Sequence, residues 1–535
     1  MALPVFVALA FFSSAAIAQQ DLANSKLRVA GVFGDGMVLQ QQTAAAIWGW
    51  GKPNSLVTIE PSWQTDATVA TTGADGKWKS TINTPKAGGP FKISVQSGTE
   101  KKVFSNVLSG EVWICSGQSN MQWKMRGFGV DHFKDSVKKA NHPQIRYLHV
   151  PQTLAFEEQK DIKAKWSTCS PKTVLAYSAV AYFFAEKLHA ELDVPIGLVS
   201  TSWGGSSAEA WMDDETIADQ FPEFESVTSS YPALIKKSGM LHPMGKRTKG
   251  INQRMPSVLY NNMIHPILPF TIRGVIWYQG ESNVKKPVQY RKLFPAMIKN
   301  WRDKWGQGDF PFYYVQIAPY KYNAKDLPAA YLREAQLQTL RVAKTGMAVT
   351  MDIGNENNIH PKQKQPVGQR LARIALANDY GKDDLVYSGP HYAGNKVESD
   401  KIRLSFEHVG SGLKTRDDQP LTHFTIAGKD KNFETATAVI DGETIVVSSP
   451  KVRKPVAVRF GWGNSDKPNL MNKEGLPASS FRTDDWAPEI VKATKKTLTK
   501  KRLRPQIEWA CRVPFATNQT LTQKEFKLLA VARQN

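Results

Sequence analysis

From about residue 111 to residue 379, short apolar runs alternate with longer segments whose apolar residues recur at helical spacing. Leu175–Leu192 is a helical segment of this kind, and Pro195–Ser200 and Ile272–Tyr278 are strand-like. The other predicted strands are Glu111–Cys115, Gln144–Val150, Phe312–Ile317 and Met347–Ile353, and the other predicted helices are Phe294–Trp305, Ala329–Val342 and Pro366–Asp379. Because crossover helices between parallel strands produce this alternation, we predict an α/β fold with a parallel sheet flanked by helices. Functional residues of such a sheet collect at the carboxyl ends of its strands.

The segments on either side of this α/β region are predicted to be rich in β-structure. They contain short β-prone runs such as Ala45–Trp50 and Lys401–Phe406, separated by turns that contain glycine. We therefore predict an N-terminal β-sandwich domain at 27–110, an α/β domain at 111–384 and a C-terminal β domain at 385–487. A basic tail follows at 488–535 and has no core pattern, so we expect it to be disordered or an isolated helix.

The first residues, Met1–Ala18, have the pattern of a secretory signal. An apolar run is followed by small residues that end in Ala16-Ile17-Ala18, which matches an A-x-A cleavage site. No Lys or Arg precedes the apolar run, and an uncleaved anchor is the alternative. We expect a cleaved signal peptide at 1–18 and a periplasmic or secreted protein. Stable membrane insertion is not expected, because no other segment is long and apolar enough to span a bilayer.

The formal net charge is +21, from 69 basic and 48 acidic residues, which first suggests a polyanionic partner. Seven of the basic residues lie in the tail segment Val491–Arg504, and the remaining excess is diffuse. No zinc-finger spacing, RNA-recognition motif or phosphate-binding loop accompanies this charge. Solubility and a solvated basic tail are therefore favoured over a polyanionic partner, and nucleic acid is not an expected partner.

Cysteine and histidine usage limits the redox and metal chemistry of the chain. Cys115, Cys169 and Cys511 are too few for a disulfide framework or a four-thiolate zinc site, and at most one bridge can form. No HExxH motif and no cluster of His and Cys is present, so neither a metal nor another cofactor is predicted. The oligomeric state is left open.

The clearest chemical signal lies in the segment Glu111–Met121. A predicted strand ends at Cys115, a Ser-Gly turn follows, and Ser119 would open a helix. A serine at that place displays its hydroxyl above the sheet, and its own N–H and the amino end of the helix favour a developing negative charge. The local pattern leaves two roles open for Ser119, a helix-capping residue or a nucleophile.

A glycine-rich turn follows the predicted strand Pro195–Ser200. In this turn Gly204 or Gly205 could bring a backbone N–H close to a substrate oxygen. A tight connection between a strand and a helix explains the same residues equally well.

The predicted strand Ile272–Tyr278 leads to a third group of polar side chains. Gln279 and Asn283 carry amides that can donate to an oxyanion. Glu281 lies between them, and its carboxyl group is interpreted as a hydrogen-bonded positioning group or as an acid–base catalyst.

His360 lies in a polar loop after the last predicted strand and before the helix at Pro366. A general base belongs at such a place, and among the other histidines His265 is a weaker candidate. Ser119 and His360 would then form a dyad across the sheet edge. Its chemistry would be acyl transfer, in which the imidazole takes the serine proton and nearby donors hold the tetrahedral oxyanion.

Together these segments resemble the SGNH-type (GDSL-like) esterases, and specifically the bacterial sialate O-acetylesterase family of carbohydrate esterases. The resemblance covers roughly residues 28–486. The matching segments are Gly36–Gln40, Gly117–Met121, Trp203–Gly205 with Glu209–Met212, Leu259–Ile264, Trp277–Asn283, Ile359–Lys362 with Gly368–Leu371, and Lys473–Ala478 with Phe481–Trp486. The resemblance implies an SGNH-hydrolase-like parallel sheet flanked by helices, with accessory β-sandwich domains.

The resemblance also implies roles for the residues at the strand ends. Ser119 would be the nucleophile and His360 the general base. The oxyanion donors would be the N–H groups of Ser119 and Gly204 and the side-chain amide of Gln279 or Asn283.

The chain departs from the family pattern at the third member of the triad. Related esterases often carry an Asp three residues before the histidine, and Asn357 occupies that position here. Asp352, the nearest acid on the preceding predicted strand, is our candidate for the orienting acid. A Ser–His dyad assisted by a backbone carbonyl is the alternative. The tail after Trp486 has no counterpart in the family pattern.

We therefore expect an exported serine esterase that removes O-acetyl groups from sugars, most of all from sialic acid, through an acetyl-serine intermediate. Its partner would be an O-acetylated carbohydrate. Because the motifs act on the ester and not on the sugar, an acetylesterase of xylan or another plant glycan is the alternative. A non-catalytic carbohydrate-binding protein is the alternative from another functional class.

Overall fold

The computed structural model of the chain describes residues 25–127, 132–238, 250–322 and 327–487. Its strands are, in chain order, β1 Arg28–Val29, β2 Val38–Gln40, β3 Ala44–Trp50, β4 Leu56–Pro61, β5 Thr68–Thr71, β6 Lys77–Asn83, β7 Gly88–Ser97, β8 Glu100–Gly117, β9 Ile145–His149, β10 Trp166–Thr168, β11 Ile196–Ser200, β12 Gly274–Tyr278, β13 Phe312–Val315, β14 Thr345–Ala348, β15 His391–Glu398, β16 Lys401–Glu407, β17 Leu413–Thr415, β18 Phe424–Ala427, β19 Phe433–Thr435, β20 Thr437–Asp441, β21 Thr444–Ser448, β22 Ala457–Phe460, β23 Leu470–Asn472 and β24 Phe481–Arg482. The central sheet has the strand order β10-β9-β11-β8-β12-β13-β14. Its neighbouring strands pair in parallel, except that β10 is antiparallel to β9 at one edge. The predicted parallel sheet is confirmed, with an antiparallel strand added at its edge.

Side chains of the central strands alternate between the two faces of the sheet, and both faces are buried. In β8, Val112 and Ile114 belong to the apolar core on one face, whereas Trp113 and Cys115 belong to the core on the other. The same alternation recurs in β12 and β13. A strand that is covered on both faces is apolar at every position, which explains the continuous apolar runs in the sequence.

Helices cover both faces of the central sheet. The α-helices are α1 Ser119–Gln122, α2 Lys134–Lys139, α3 Ala179–Leu192, α4 Asp214–Gln220, α5 Glu225–Thr228, α6 Tyr231–Ser238, α7 Pro287–Trp305, α8 Pro328–Gln338 and α9 Lys364–Asp379. Short 3₁₀ segments are Val174–Ala176, Ala208–Trp211, Pro222–Phe224, His265–Ile267, Glu281–Asn283 and Thr339–Arg341, and Tyr260–Ile264 is a π-helical turn. Helices α7 and α8 contribute to the core on one face, and α3 and α9 contribute to the core on the other. The predicted α/β class with flanking helices is therefore confirmed.

Several predicted element limits differ from the structure, and those of α7 and β14 are examples. Helix α7 begins at Pro287 rather than at Phe294, with the proline in the first turn, where its missing N–H costs nothing. Strand β14 ends at Ala348 rather than at Ile353. Residues such as Met351 and Ile353 are buried although they lie outside the strand, so the apolar pattern extends beyond the hydrogen-bonded ladder.

The N-terminal region contains a sheet with the order β1-β3-β6 and a second group of strands that pairs with β8. Strand β8 pairs with β7 over its first half and with β11 and β12 over its second half. The predicted boundary between residues 110 and 111 therefore lies inside one continuous strand. The domain limits remain predictions.

The region after α9 is built from antiparallel sheets. Their strand orders are β15-β16-β21-β20, β19-β18-β22-β24 and β17-β23. They enclose an apolar core that includes Leu404, Phe424, Val447 and Phe460. These strands account for the alternating β-prone runs in this part of the sequence.

The predicted signal peptide at 1–18 and most of the chain after Trp486, including Cys511, lie outside the described residues. Cys115 and Cys169 are buried thiols that form no disulfide. Among the described helices, none is long and apolar enough to cross a membrane.

Candidate active site

Strand β8 brings Ser119 to the carboxyl edge of the central sheet. The strand ends at Gly117, which has a φ of +133° and packs against β12 so closely that a Cβ would lie 2.2 Å from the Tyr278 carbonyl oxygen. The next residue, Gln118, donates its N–H to the same oxygen at 2.9 Å. Ser119 follows as the first residue of α1. Only a glycine fits at this turn, and the conformation of the turn sets the position of Ser119.

The imidazole of His360 lies against the hydroxyl of Ser119. His360 Nε2 is 2.8 Å from Ser119 Oγ, although the two residues are 241 positions apart in the chain. The histidine lies in the loop between β14 and α9, where its N–H donates to Asn358 Oδ1 at 2.9 Å. Its ring packs near Trp123, with 5.7 Å between ring centroids. The separation of Oγ and Nε2 is that of a hydrogen bond, so a proton can pass between them.

The surroundings of His360 favour its neutral form. Burial lowers the pKa of His360 from its ordinary value of 6.5, and the nearby ammonium group of Lys364 lowers this pKa further. A neutral imidazole can accept a proton, whereas an imidazolium cannot. The environment therefore keeps His360 in the form that a general base needs at pH 7.

A buried polar network lies behind the serine and the histidine. Asn120 Nδ2 donates to Glu281 Oε1 at 2.7 Å and to the Ile359 carbonyl oxygen at 3.1 Å. Asn120 Oδ1 accepts a hydrogen bond from Lys364 Nζ. Asn120 follows Ser119 in the chain and Ile359 precedes His360, so this one side chain joins the two halves of the dyad.

Burial changes the titration of both charged groups in this network. It raises the pKa of Glu281, and it lowers the pKa of Lys364 to about 7. Glu281 Oε2 is buried without a hydrogen-bond partner among the described residues. Lys364 Nζ lies 5.4 Å from the ring centroid of Trp123 and 5.6 Å from that of Tyr278. The ammonium is thus held by an amide oxygen and two aromatic faces.

Sequence reasoning did not predict a role for Asn120 or Lys364. Asn120 belongs to the segment Gly117–Met121, whose resemblance to the esterase family was the sequence signal that could have pointed to it. Lys364 is the first residue of α9 and has no feature in the sequence that separates it from exposed lysines such as Lys362.

Gly204, a predicted oxyanion donor, lies beside the serine. A Cβ on Gly204 would be 3.3 Å from the Ser119 Cβ atom, so the turn that contains Gly204 packs directly on the serine. The Gly204 N–H donates to Gln122 Oε1 at 2.6 Å. In the free protein this donor is therefore directed at a side-chain carbonyl in the site.

The other predicted oxyanion donors, Gln279 and Asn283, are buried behind the site. Gln279 Nε2 donates to Asn283 Oδ1 at 2.6 Å and to the Ser206 carbonyl oxygen at 3.2 Å. Asn283 Nδ2 donates to Glu209 Oε2 at 2.8 Å. These amides hold together the loops that follow β11 and β12. Their role as oxyanion donors remains a prediction.

Asp352, the predicted orienting acid, is paired with Arg370. Its two carboxylate oxygens accept from Arg370 Nη1 at 2.8 Å and from Nη2 at 2.6 Å. Arg370 Nη1 also donates to the Val349 carbonyl oxygen at 2.7 Å. All of the hydrogen bonds described for the Asp352 side chain go to Arg370 rather than to His360. This ion pair joins the start of the His360 loop to α9, and the role of Asp352 in orienting the histidine remains a prediction.

A cavity of about 760 Å³ opens above the dyad. Besides Ser119 and His360, its lining includes Gln122, Trp203, Gly204, Arg254, Glu281 and Lys285. This volume is typical of sites for small organic ligands. Within the described residues, no group of three or more His, Cys, Asp or Glu side chains is arranged to hold a metal ion.

Comparison with known proteins identifies the family. A model of the family described as carbohydrate esterase, sialic acid-specific acetylesterase, matches residues 109–377. The chain is 32% identical over 406 residues to the sialate O-acetylesterase of Homo sapiens, covering 69% of this chain and 74% of that protein. It is 32% identical over 425 residues to the sialate O-acetylesterase of Rattus norvegicus, covering 69% of this chain and 76% of that protein.

Among solved structures, a carbohydrate acetylesterase from Xanthomonas citri superposes with a TM-score of 0.76 at 37% identity, over 86% of this chain and 100% of that chain. This chain therefore belongs to the sialic acid-specific acetylesterase family of carbohydrate esterases and is a carboxylic-ester hydrolase.

Proposed function

We propose that this chain is a serine esterase that removes O-acetyl groups from sugars, with O-acetylated sialic acid as its substrate, through an acetyl-Ser119 intermediate. Family membership supports the ester chemistry, and the name of the mammalian relatives supports sialic acid. The observation that carries the mechanism is the 2.8 Å separation of Ser119 Oγ and His360 Nε2 beside a cavity.

In the first half-reaction, Ser119 Oγ attacks the carbonyl carbon of the acetyl group while His360 Nε2 takes the hydroxyl proton. The tetrahedral intermediate collapses, the bond between the carbonyl carbon and the sugar oxygen breaks, and the sugar oxygen takes the proton from His360. In the second half-reaction, water gives a proton to His360 and attacks the acetyl-enzyme. The second tetrahedral intermediate collapses, the bond between the carbonyl carbon and Ser119 Oγ breaks, and Oγ takes the proton back from His360; acetic acid leaves and ionises to acetate in solution.

For the oxyanion we favour the backbone N–H groups of Ser119 and Gly204 as donors. The Gly204 N–H donates to Gln122 Oε1 in the free protein, so the substrate oxygen would replace Gln122 as the acceptor. Gln279 and Asn283 donate within the buried network, and their proposed contribution is to hold the donor loops in place.

Asp352 is proposed as a positioning residue that acts through Arg370. Their ion pair connects the loop before His360 to the helix after it. Glu281 is proposed as a second positioning group, because its carboxylate accepts from the Asn120 amide that also holds the Ile359 carbonyl.

Replacing Ser119 or His360 with alanine tests the mechanism. Each change should lower kcat by several orders of magnitude, on the order of 10⁶ as in other serine hydrolases. The measurement is acetate release from O-acetylated N-acetylneuraminic acid and hydrolysis of 4-nitrophenyl acetate. Ser62→Ala and His423→Ala alter exposed residues of the same types and should leave both rates unchanged.

Labelling with a fluorophosphonate gives an independent readout, because the reagent should modify Ser119 in the unmodified protein and nothing in Ser119→Ala. Undiminished turnover by Ser119→Ala would remove the mechanism. Failure to label, together with measurable glycan binding, would instead favour a carbohydrate-binding protein.

A neutral plant glycan is the second candidate substrate. The solved relative from Xanthomonas citri, which this chain covers in full, is described only as a carbohydrate acetylesterase. Comparing kcat/KM on acetylated sialosides and acetylated xylo-oligosaccharides separates the two. A higher value on the xylo-oligosaccharides would replace sialic acid as the proposed substrate.

We also propose that the protein is exported to the periplasm or secreted after cleavage of residues 1–18. The A-x-A pattern at Ala16-Ile17-Ala18 supports this. Amino-terminal sequencing of the protein recovered from its natural host should begin at about Gln19. A start at Met1 in a protein confined to the cytosol would refute the export proposal.

A further inference from the structure

Fixed positive charge faces the cavity in which the acetyl ester would bind. Arg254 and Lys285 line this cavity, and both side chains are exposed. The acidic side chain among the described lining residues is Glu281, which is buried and directs Oε1 at Asn120. The exposed charges on the wall are therefore cationic, and they favour a ligand that carries a negative charge close to its acetyl group.

Hydrogen bonds anchor Arg254 to the turn that contacts the serine. Its Nε donates to the Gly205 carbonyl oxygen at 3.1 Å, and the Gln253 side chain donates to the Gly204 carbonyl oxygen at 2.9 Å. Gly204 in turn packs against Ser119. These two hydrogen bonds connect Gln253 and Arg254 to the turn that packs on Ser119.

Within the described residues, hydrogen bonds engage one edge of this guanidinium group. Its Nε is bonded, and its two Nη atoms make no hydrogen bond to the described residues. Those two atoms form a planar fork that matches the two oxygens of a carboxylate. Lys285 can add a second, less directional positive charge on the same wall.

We propose that Arg254 is a specificity-determining residue that binds the carboxylate of an O-acetylated acidic sugar, with Lys285 as a supporting cation. This inference rests on the proposed esterase function and assigns a residue to the recognition of its acidic substrate. A sugar acid whose carboxylate reaches Arg254 would be held with its acetyl group at Ser119. A neutral glycan offers hydroxyl oxygens but no anionic, two-oxygen partner for the Nη atoms, so it gains less from this residue.

The test compares Arg254→Gln and Arg254→Lys on three acetyl esters. These are O-acetyl-N-acetylneuraminic acid, its carboxyl methyl ester, which carries no charge, and 4-nitrophenyl acetate. We expect Arg254→Gln to lower kcat/KM for the free acid by about 10- to 100-fold, mainly through KM, because a charge-assisted pair is lost. The rates on the other two esters should change by less than about threefold. Arg254→Lys keeps the charge but loses the fork, and it should fall between the wild type and Arg254→Gln on the free acid.

A matched control is Arg341→Gln, which removes an exposed guanidinium away from the cavity and should leave all three rates unchanged. An equal loss on all three esters in Arg254→Gln would overturn the proposal, because it would mean that Arg254 only braces the Gly204–Gly205 turn. An unchanged kcat/KM on the free acid would overturn it as well. If the wild type hydrolysed none of the three esters, the proposed esterase function itself would fail, which is a distinguishable result.

Discussion

The side chain of Lys364 is the charged group that affects the pKa of His360, the proposed general base. It is fully buried, and its ammonium donates to Asn120 and lies over two aromatic rings. A cation near an imidazole disfavours a second positive charge, which is one of the two reasons why the pKa of His360 is lowered. Lys364 therefore lowers the pKa of His360 from behind the cavity, whose described lining does not include it.

Replacing Lys364 with methionine should move the acid limb of the profile of kcat/KM against pH to higher pH. That limb reports the loss of activity as His360 becomes protonated in the free enzyme. Removing the neighbouring cation raises the pKa of His360, so protonation, and with it the loss of activity, sets in at a higher pH. Lys362→Met, an exposed lysine two positions earlier, should leave the limb in place. A limb that is unmoved or shifted to lower pH in Lys364→Met would contradict this role.

Individual residues of the site differ in how far the sequence predicts them. Ser119 and His360 could be predicted because each follows a predicted strand, and the ends of parallel strands share one edge. Lys364 could not, because burial of a lysine depends on tertiary contacts that leave no local pattern. Gln279 and Asn283 lie at the correct sheet edge, but a sequence does not reveal whether an amide faces a cavity or a buried partner.

Helix α9 packs closely against α3, and this contact is made through Gly368. A Cβ at this position would lie 2.6 Å from the Val180 carbonyl oxygen and 2.8 Å from the Phe183 Cβ atom of α3. Because α9 follows the His360 loop directly, this crossing also fixes where the loop ends.

Gly368→Ala should lower the free energy of unfolding by roughly 1–3 kcal/mol, since the two helices must separate to admit the methyl group. Alanine favours the helix over glycine by about 1 kcal/mol. A net loss of stability would therefore show that the steric cost of the added methyl group outweighs this gain. Urea denaturation measures the change. Gly34→Ala is the control, because the nearest atom to its added methyl group is 3.9 Å away. Stabilisation by Gly368→Ala would show that the helices adjust freely.

For secondary-structure elements, the sequence predicts their order and type better than the residues at which they begin and end. The central strands and covering helices follow the predicted alternation, since burial on both faces gives each strand a continuous apolar run. The strand predicted to end at Ile353 ends at Ala348 because periodicity reports burial and not backbone pairing. Met351 and Ile353 are buried in a loop, and their pattern resembles that of a strand.

For the molecule as a whole, Arg333 links the α/β region to the C-terminal sheets. This fully buried side chain of α8 donates from Nη2 to the carbonyl oxygens of Gly461 at 3.1 Å and Gly463 at 2.6 Å. Its Nε donates to Ser480 Oγ at 3.1 Å. The Arg333 guanidinium thus provides hydrogen-bond donors for three acceptors in the C-terminal region.

Arg333→Met should destabilise the protein by about 2–6 kcal/mol, because each buried acceptor left without a donor costs about 1–3 kcal/mol. Thermal and urea unfolding of the full chain measure the loss. Arg341→Met removes an exposed arginine nearby in sequence and should change the stability by less than about 0.5 kcal/mol. Equal stabilities of the two variants would mean that the C-terminal sheets are held without Arg333.

Strand β8 begins among the N-terminal strands and ends at the turn before Ser119. Recombination at the junction of residues 110 and 111 would split this strand and separate Ser119 from the N-terminal strands that pair with β8. A fusion protein that replaces the N-terminal strands with a foreign module is therefore expected to fold only if it carries the whole of β8.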